Sequence, residues 1–192
     1  MKGGQDGSCS EENNISSNGG HGISLSINCE NTTIVENKIT LNGKNGILID
    51  ENSNHTNISG NTINYNGDSG VFITKEFVYI YWNSDYVTIS ENNISFNMKW
   101  GVYIDGNYHK IFANNFIKNG ENAFFIKRRS FFKTDTWCKW NDNYWDDLGS
   151  HNYELIKGRI LLFSGHFIDY FFPWLQFDWH PAREPYDITG MS

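Results

Sequence analysis

The side chains in this chain best placed to meet a ligand are aromatic. Phe77, Tyr79, Tyr81 and Trp82 stand in a stretch of about seven extra residues between Ile73 and Asp85. Beside them runs a column of outward-pointing positions, Ser24, Leu48, Phe72, Tyr103 and Phe125. Flat apolar rings next to amide-rich corners suit sugar rings, through CH-to-π contact and side-chain hydrogen bonds. Tyr79, Tyr81, Trp82 and Tyr103 are therefore the candidate glycan platform. The competing expectation is a lid: the insertion folds onto the column and hides it, because so large an exposed apolar patch is unusual on a soluble monomer.

Other chemistries find less support. Asp146 and Asp147 are adjacent carboxylates in the terminal tract, whereas a glycosidic acid and base must face each other across a cleft. No catalytic residue is expected, and no cofactor. The histidines lie apart at 21, 55, 109, 151, 166 and 180, and the methionines are Met1, Met98 and Met191. Copper needs a cluster of soft ligands, so no metal site is expected. Cys9, Cys29 and Cys138 are widely spaced with no CxxC pair, which indicates neither a disulfide framework nor zinc. The formal charge of −7 and the absence of a basic stripe exclude nucleic acid as a partner. Sequons begin at Asn14, Asn31, Asn54, Asn57 and Asn93, but a repeat rich in Asn, Ile, Ser and Thr generates them by chance.

A repeat must position these side chains. The pattern x-Asn-x-(Ile/Phe)-x-x-Asn-x-x-x-(Gly/Ala)-(Ile/Val/Phe)-x-(Ile/Leu) occurs five times between Asn13 and Ile126. Its first asparagines are Asn13, Asn37, Asn61, Asn92 and Asn114, and its second are Asn18, Asn42, Asn66, Asn97 and Asn119. Periods of 24, 24, 31 and 22 residues mean stacked units that cannot bury their apolar faces alone. Apolar positions alternate, as in Gly46-Ile47-Leu48-Ile49, which is the period of short strands. Asparagine and glycine mark the corners, where both tolerate left-handed backbone.

Stacking the units in register gives four inward columns: Ile15, Ile39, Ile63, Ile94, Phe116; Ile23, Ile47, Val71, Val102, Phe124; Leu25, Ile49, Ile73, Ile104, Ile126; and Ile34, Ile58, Ile89, Ile111. The fold class is all-β, a right-handed parallel β-helix of about five coils, with the hand taken from the preference of parallel crossovers. Residues 12–126 form the coils, residues 1–11 a disordered or truncated N-terminal segment, and residues 127–192 an aromatic-rich cap. Ser10 occupies the place of Ile34, so the first coil is expected to lack its third strand. That gap, with a polar start holding no signal peptide, suggests the C-terminal part of a longer β-helix whose further coils lie upstream. Asn143 resembles one more ladder asparagine, with Trp140 and Trp145 at the core positions beside it. The apolar stretch 160–175 is too short and too interrupted to be a transmembrane span, and is expected to pack against the coils.

The coil consensus resembles the repeat of NosD-type β-helix proteins, within the carbohydrate-binding and sugar-hydrolase β-helix group. The segments Asn143-Tyr144-Trp145-Asp146-Asp147 and Phe177 to Ile188 are similar to closing motifs of its surface or secreted prokaryotic members. The resemblance implies a cell-surface or extracellular location, and the family name implies copper delivery. Polysaccharide hydrolases of this fold share Gly-His-Gly and Arg-Ile-Lys motifs; here Phe167 follows Gly165-His166 and no Arg-Ile-Lys appears. The expected function is non-catalytic, with a polysaccharide or glycan as partner in binding or surface assembly. Two alternatives remain, the C-terminal part of a polysaccharide-modifying enzyme and a copper accessory factor.

Overall fold

The computed structural model describes residues 9–50, 53–74, 84–128, 137–164 and 169–188. Three parallel sheets form the walls of a β-helix. The first contains Cys9–Glu11, Thr33–Val35, Asn57–Ser59, Thr88–Ser90, Lys110–Phe112 and Lys139–Asn141. The second contains Asn14–Ser16, Lys38–Thr40, Thr62–Asn64, Asn93–Ser95, Asn115–Ile117 and Tyr144–Trp145. The third runs Ile23–Leu25, Ile47–Ile49, Val71–Ile73, Trp100–Asp105, Glu121–Arg128 and Glu154–Ser164, and ends in the antiparallel strand Asp169–Asp178. Ile39, Ile63 and Ile94 pair in register and are fully buried, as are Ile34, Ile58, Ile89 and Ile111.

The asparagines bond along the stack. Each backbone N–H and side-chain amide of one coil donates to the side-chain oxygen of the next: Asn61 Nδ2 to Asn92 Oδ1 at 2.9 Å, and Asn92 Nδ2 to Asn114 Oδ1 at 3.0 Å. The same amide also donates to carbonyls of its own and the preceding coil, Ser59 and Ile34 for Asn61. All four hydrogen-bonding options of a buried amide are thereby used. A second ladder runs through Asn18, Asn42, Asn66, Asn97 and Asn119.

The ladder asparagines do not themselves adopt the left-handed conformation expected at the corners. The residue before each one does: Glu36 before Asn37 (φ 54), Glu91 before Asn92 (φ 56), Tyr65 before Asn66 (φ 54) and Phe96 before Asn97 (φ 54). Left-handed backbone is costly for bulky residues. Stacking offsets part of it, because the corner rings lie in columns, Tyr65 on Phe96 at 4.9 Å and His55 on Tyr86 on Tyr108 at 5.0 and 4.8 Å. Glycine is needed where the chain passes closest to its neighbour. A Cβ on Gly46 would lie 2.7 Å from Ile63 and 2.8 Å from the Gly70 carbonyl.

Two expectations are corrected here. The first coil does have its third strand: Cys9–Glu11 pairs with Thr33–Val35, and Ser10 is buried opposite Ile34. An inward serine is tolerated because its hydroxyl bonds to Asn37 Oδ1 at 3.2 Å. The fifth coil is also one residue out of step. Val102 pairs with Ala123, Tyr103 with Phe124 and Ile104 with Phe125, so Phe125 points inward and is fully buried while Phe124 points outward. Ile126 falls opposite Asp105, outside the core column assigned to it. The shift puts Asn122 where its side-chain oxygen accepts from Asn119 Nδ2 at 3.1 Å, ending the second ladder. Gly158 then lies over Phe125, where any Cβ would collide with the ring.

Beyond the fifth coil the core is closed by rings. Trp140 pairs with Ile111 and Trp145 with Phe116, and Trp145 stacks on Phe116 at 4.4 Å. The first ladder continues through Asn143 to the fully buried Asp178, whose Oδ2 accepts from Asn143 N and Nδ2 and from Trp145 Nε1. Residues 160–164 and 169–175 belong to two antiparallel strands that widen the third sheet rather than lying on a coil face, and Tyr170, Phe172, Trp174 and Leu175 remain exposed. Among the described residues there is no helix, so none long and apolar enough to cross a membrane.

Asn61→Ala is expected to lower stability by at least about 3 kcal/mol, since it strips partners from several buried groups at roughly 1–3 kcal/mol each. Urea unfolding measures this, and a loss under about 1 kcal/mol would show that the ladder carries little load. Two titrating groups, half-buried Glu154 and buried His109, add a pH signature. Burial, then the neighbouring Asp147 charge, pushes the Glu154 carboxyl up to about 7 from 4.5. The folded chain holds that proton more tightly than the unfolded one, so this contribution is present below pH 4.5 and fades as pH rises towards 7. Burial holds the His109 imidazole down at about 3, so its contribution is complete above 6.5 and is lost as pH falls towards 3. The melting temperature of Glu154→Gln minus that of the parent should therefore grow between pH 4.5 and 7.5; a pH-independent difference would exclude Glu154 as the group.

Candidate functional site

Tyr103 lies in the longest outward row of the third sheet, between Phe72 and Phe124. At the fifth coil the row therefore holds Phe124, not Phe125, because of the one-residue shift. Tyr79, Tyr81 and Trp82 lie outside the described residues, so Tyr103 is the member of the proposed platform whose surroundings are defined. Its ring stacks on Phe72 at 4.5 Å, nearly parallel at 16°, and on Phe124 at 5.7 Å and 10°. Phe72, Tyr103 and Phe124 are each half-buried.

Rings stacked this way stand on edge. Each inner face is covered by a neighbour, and a sugar bound by CH-to-π contact needs a face. The side chain that changes this is Trp100, which the sequence reading passed over. It lies 4.8 Å from Tyr103 with the planes 47° apart, and 6.3 and 6.2 Å from Phe72 and Phe124. It is thus laid obliquely across the row and is also half-buried. The available signal was its place next to the corner Gly101, at the start of a strand three residues longer than its predecessors.

Polar groups surround the indole. Trp100 Nε1 donates to Glu121 Oε2 at 3.2 Å, and Lys157 Nζ lies 3.9 Å from Glu121 Oε1. Lys99 pairs with Asp68 at 2.5 Å, and the Arg159 guanidinium sits 5.9 Å from the Phe124 ring. The face therefore combines an aromatic surface with hydrogen-bonding groups of both charges.

Asp146 and Asp147 serve the coils. Asn122 Nδ2 donates to Asp146 Oδ1 at 3.0 Å and to Asp147 Oδ1 at 2.9 Å, while Asp146 Oδ2 accepts from Lys118 N. These bonds fix the end of the second ladder.

The soft donors are dispersed. Among the described residues no three of His, Cys, Asp and Glu gather where they could hold a metal. His55 stacks on Tyr86, His21 Nδ1 accepts from Asn45 N, and His180 Nδ1 lies 3.4 Å from Asn141 Oδ1. Buried His109 accepts from Val87 N through Nδ1. Cys138 is buried and its thiol is pushed up to about 12, chiefly by burial, which disfavours the thiolate a metal would need. Met98 is exposed, and His166, Met1 and Met191 lie outside the described residues. The described donors do not fit a copper site.

No curated protein and no solved structure matches this chain. A family model described as periplasmic copper-binding protein (NosD) matches residues 3–159. The match spans five regular coils, the sixth formed around Asn143, and the start of the closing hairpin. By that match, and by a parallel β-helix ordered on asparagine ladders, the chain belongs to the NosD family.

Proposed function

We propose that this chain is a non-catalytic β-helix that works outside the cytoplasm, at the cell surface or as a secreted protein, and binds polysaccharide on the outer face of its third sheet. The observation that carries the reading is Trp100 laid across the Phe72, Tyr103 and Phe124 row, with Glu121 and Lys157 beside it. An oblique indole offers a surface for one sugar ring, and the neighbouring charged groups offer hydrogen bonds to its hydroxyls. Tyr79, Tyr81 and Trp82 belong to the insertion that follows Ile73 in the sequence and are proposed to enlarge the platform. The family description supports a location outside the cytoplasm. It also names copper, for which the described donor set gives no support.

Retention on insoluble polysaccharides tests the proposal. Trp100→Ala should reduce retention at least about tenfold, the share expected of one well-placed ring at ~1.4 kcal/mol per factor of ten. A parent that is not retained, or a Trp100→Ala variant retained as well as the parent, would sink the reading. Trp82→Ala separates platform from lid: a platform loses retention with little change in stability, whereas a lid costs about 2–4 kcal/mol. Calorimetric titration with copper should show no stoichiometric site of micromolar or better affinity. Such a site, abolished by His166→Ala, would replace polysaccharide with copper as the ligand.

A further inference from the structure

A second surface, sharing no residue with the Trp100 face, has the form of a ligand site. On the outer side of the first sheet an open cleft of about 580 Å3 separates the last two strands from the C-terminal segment. Lys110 and Lys139 are register partners on adjacent strands, as are Phe112 and Asn141, and these four line one side. Phe177 and Trp179 line the other.

The two sides differ in chemistry. Trp179 is stacked on Phe177 at 4.7 Å and 21°, and Tyr153 packs against it at 54°. It is nevertheless 59% exposed, so the indole is propped from behind and open in front. This is the geometry that the Phe72, Tyr103 and Phe124 row lacks. Across the cleft, Lys110 and Lys139 are both exposed and side by side. Like charges on adjacent strands repel, and neither lysine has a salt-bridge partner among the described residues. Among the described residues no acidic side chain lines the cleft. The carboxylates adjacent in the chain to lining residues are both engaged, Asp142 by the Asn141 amide and buried Asp178 by Asn143 and Trp145. In a protein of formal charge −7, two adjacent lysines facing an open indole make a local cationic site.

We propose that this cleft binds an acidic saccharide, a uronate-bearing unit whose ring lies on Trp179 and whose carboxylate is held by Lys110 and Lys139. A carboxylate between two ammonium groups gains charge-assisted hydrogen bonds and removes their repulsion. The apolar face of a pyranose covers the indole. The volume lies within the range of small-molecule sites, and the open form admits a unit within a longer chain.

Native gel electrophoresis through embedded polygalacturonate, dextran or polyuridylate tests this site apart from the other. Polygalacturonate should retard the parent. Trp179→Ala, and separately the Lys110→Gln/Lys139→Gln pair, should each raise the apparent Kd at least about tenfold, a step of ~1.4 kcal/mol. Trp179→Phe, which keeps a ring, should stay within about threefold of the parent. Dextran should retard the parent no more than it retards Trp179→Ala. Failure of polygalacturonate to retard the parent overturns the proposal, as does unaltered binding by folded Trp179→Ala. Equal retardation by polyuridylate also overturns it, in favour of a general polyanion surface. Unfolding midpoints establish that the variants are folded, and if Trp179→Ala is not, Trp179→Phe and the lysine pair decide.

Discussion

The buried asparagine amide is the interaction on which the rest of the structure depends. A β-helix turns sharply between short strands, and each turn leaves backbone groups inside that no water can reach. One amide per corner donates to its own coil, to the coil before and to the next asparagine, and its oxygen receives the neighbour's donors. An unmet buried donor or acceptor costs about 1–3 kcal/mol, so the ladder holds each coil to a single vertical position. Such a chain must also end. The first ladder terminates on the Asp178 carboxylate, which receives the last amide together with the Trp145 indole. A carboxylate accepts without donating, so it asks for no further coil.

Fixing the corners with buried side chains leaves the corner backbone to the residues beside them. Those residues take the left-handed conformation, and their side chains point outward into columns. Glutamates, tyrosines and phenylalanines are thereby displayed at the pitch of the stack, about 4.8 Å. The spacing suits ring-on-ring stacking, as Tyr65 with Phe96 and Tyr86 with Tyr108 illustrate. It suits sugar binding less, because stacked rings hide their faces. The two surfaces proposed to bind ligands both lie where the period is broken. Trp100 lies at the start of a lengthened strand, and Trp179 in the C-terminal segment beyond the last ladder residue.

Breaks in the period also account for where functional reading from sequence is hardest. The long step from Ile73 to Asp85 announces an insertion, but periodicity says nothing about which way its rings turn. The fifth coil is subtler. Ala123 and Phe124 fit the consensus four and five residues after Asn119, yet Asn122 is drawn into the Gly101 position by its bond to Asn119. The hydrogen bonds that hold Asn122, to Asn119, Asp146 and Asp147, thus go with the register that puts Phe125 in the core and Phe124 in the outward row.

Residue type and spacing specify the solenoid, the two ladders and most inward columns, because stacking in register forces like residues above one another and the asparagines recur at fixed separations. They also mark Asn143 as resembling one more ladder asparagine, with Trp140 and Trp145 at the core positions beside it. Tertiary structure alone decided the strand at Ser10, the inward Phe125 and the capping role of Asp178. Each depends on a partner at least 21 residues away in the chain: Asn37 for Ser10, Ile104 for Phe125 and Asn143 for Asp178. The two aromatic surfaces belong to the same class. A ring's type is written in the sequence, but whether its face is open depends on what is stacked against it, Phe72 and Phe124 closing Tyr103 while Phe177 supports only one side of Trp179.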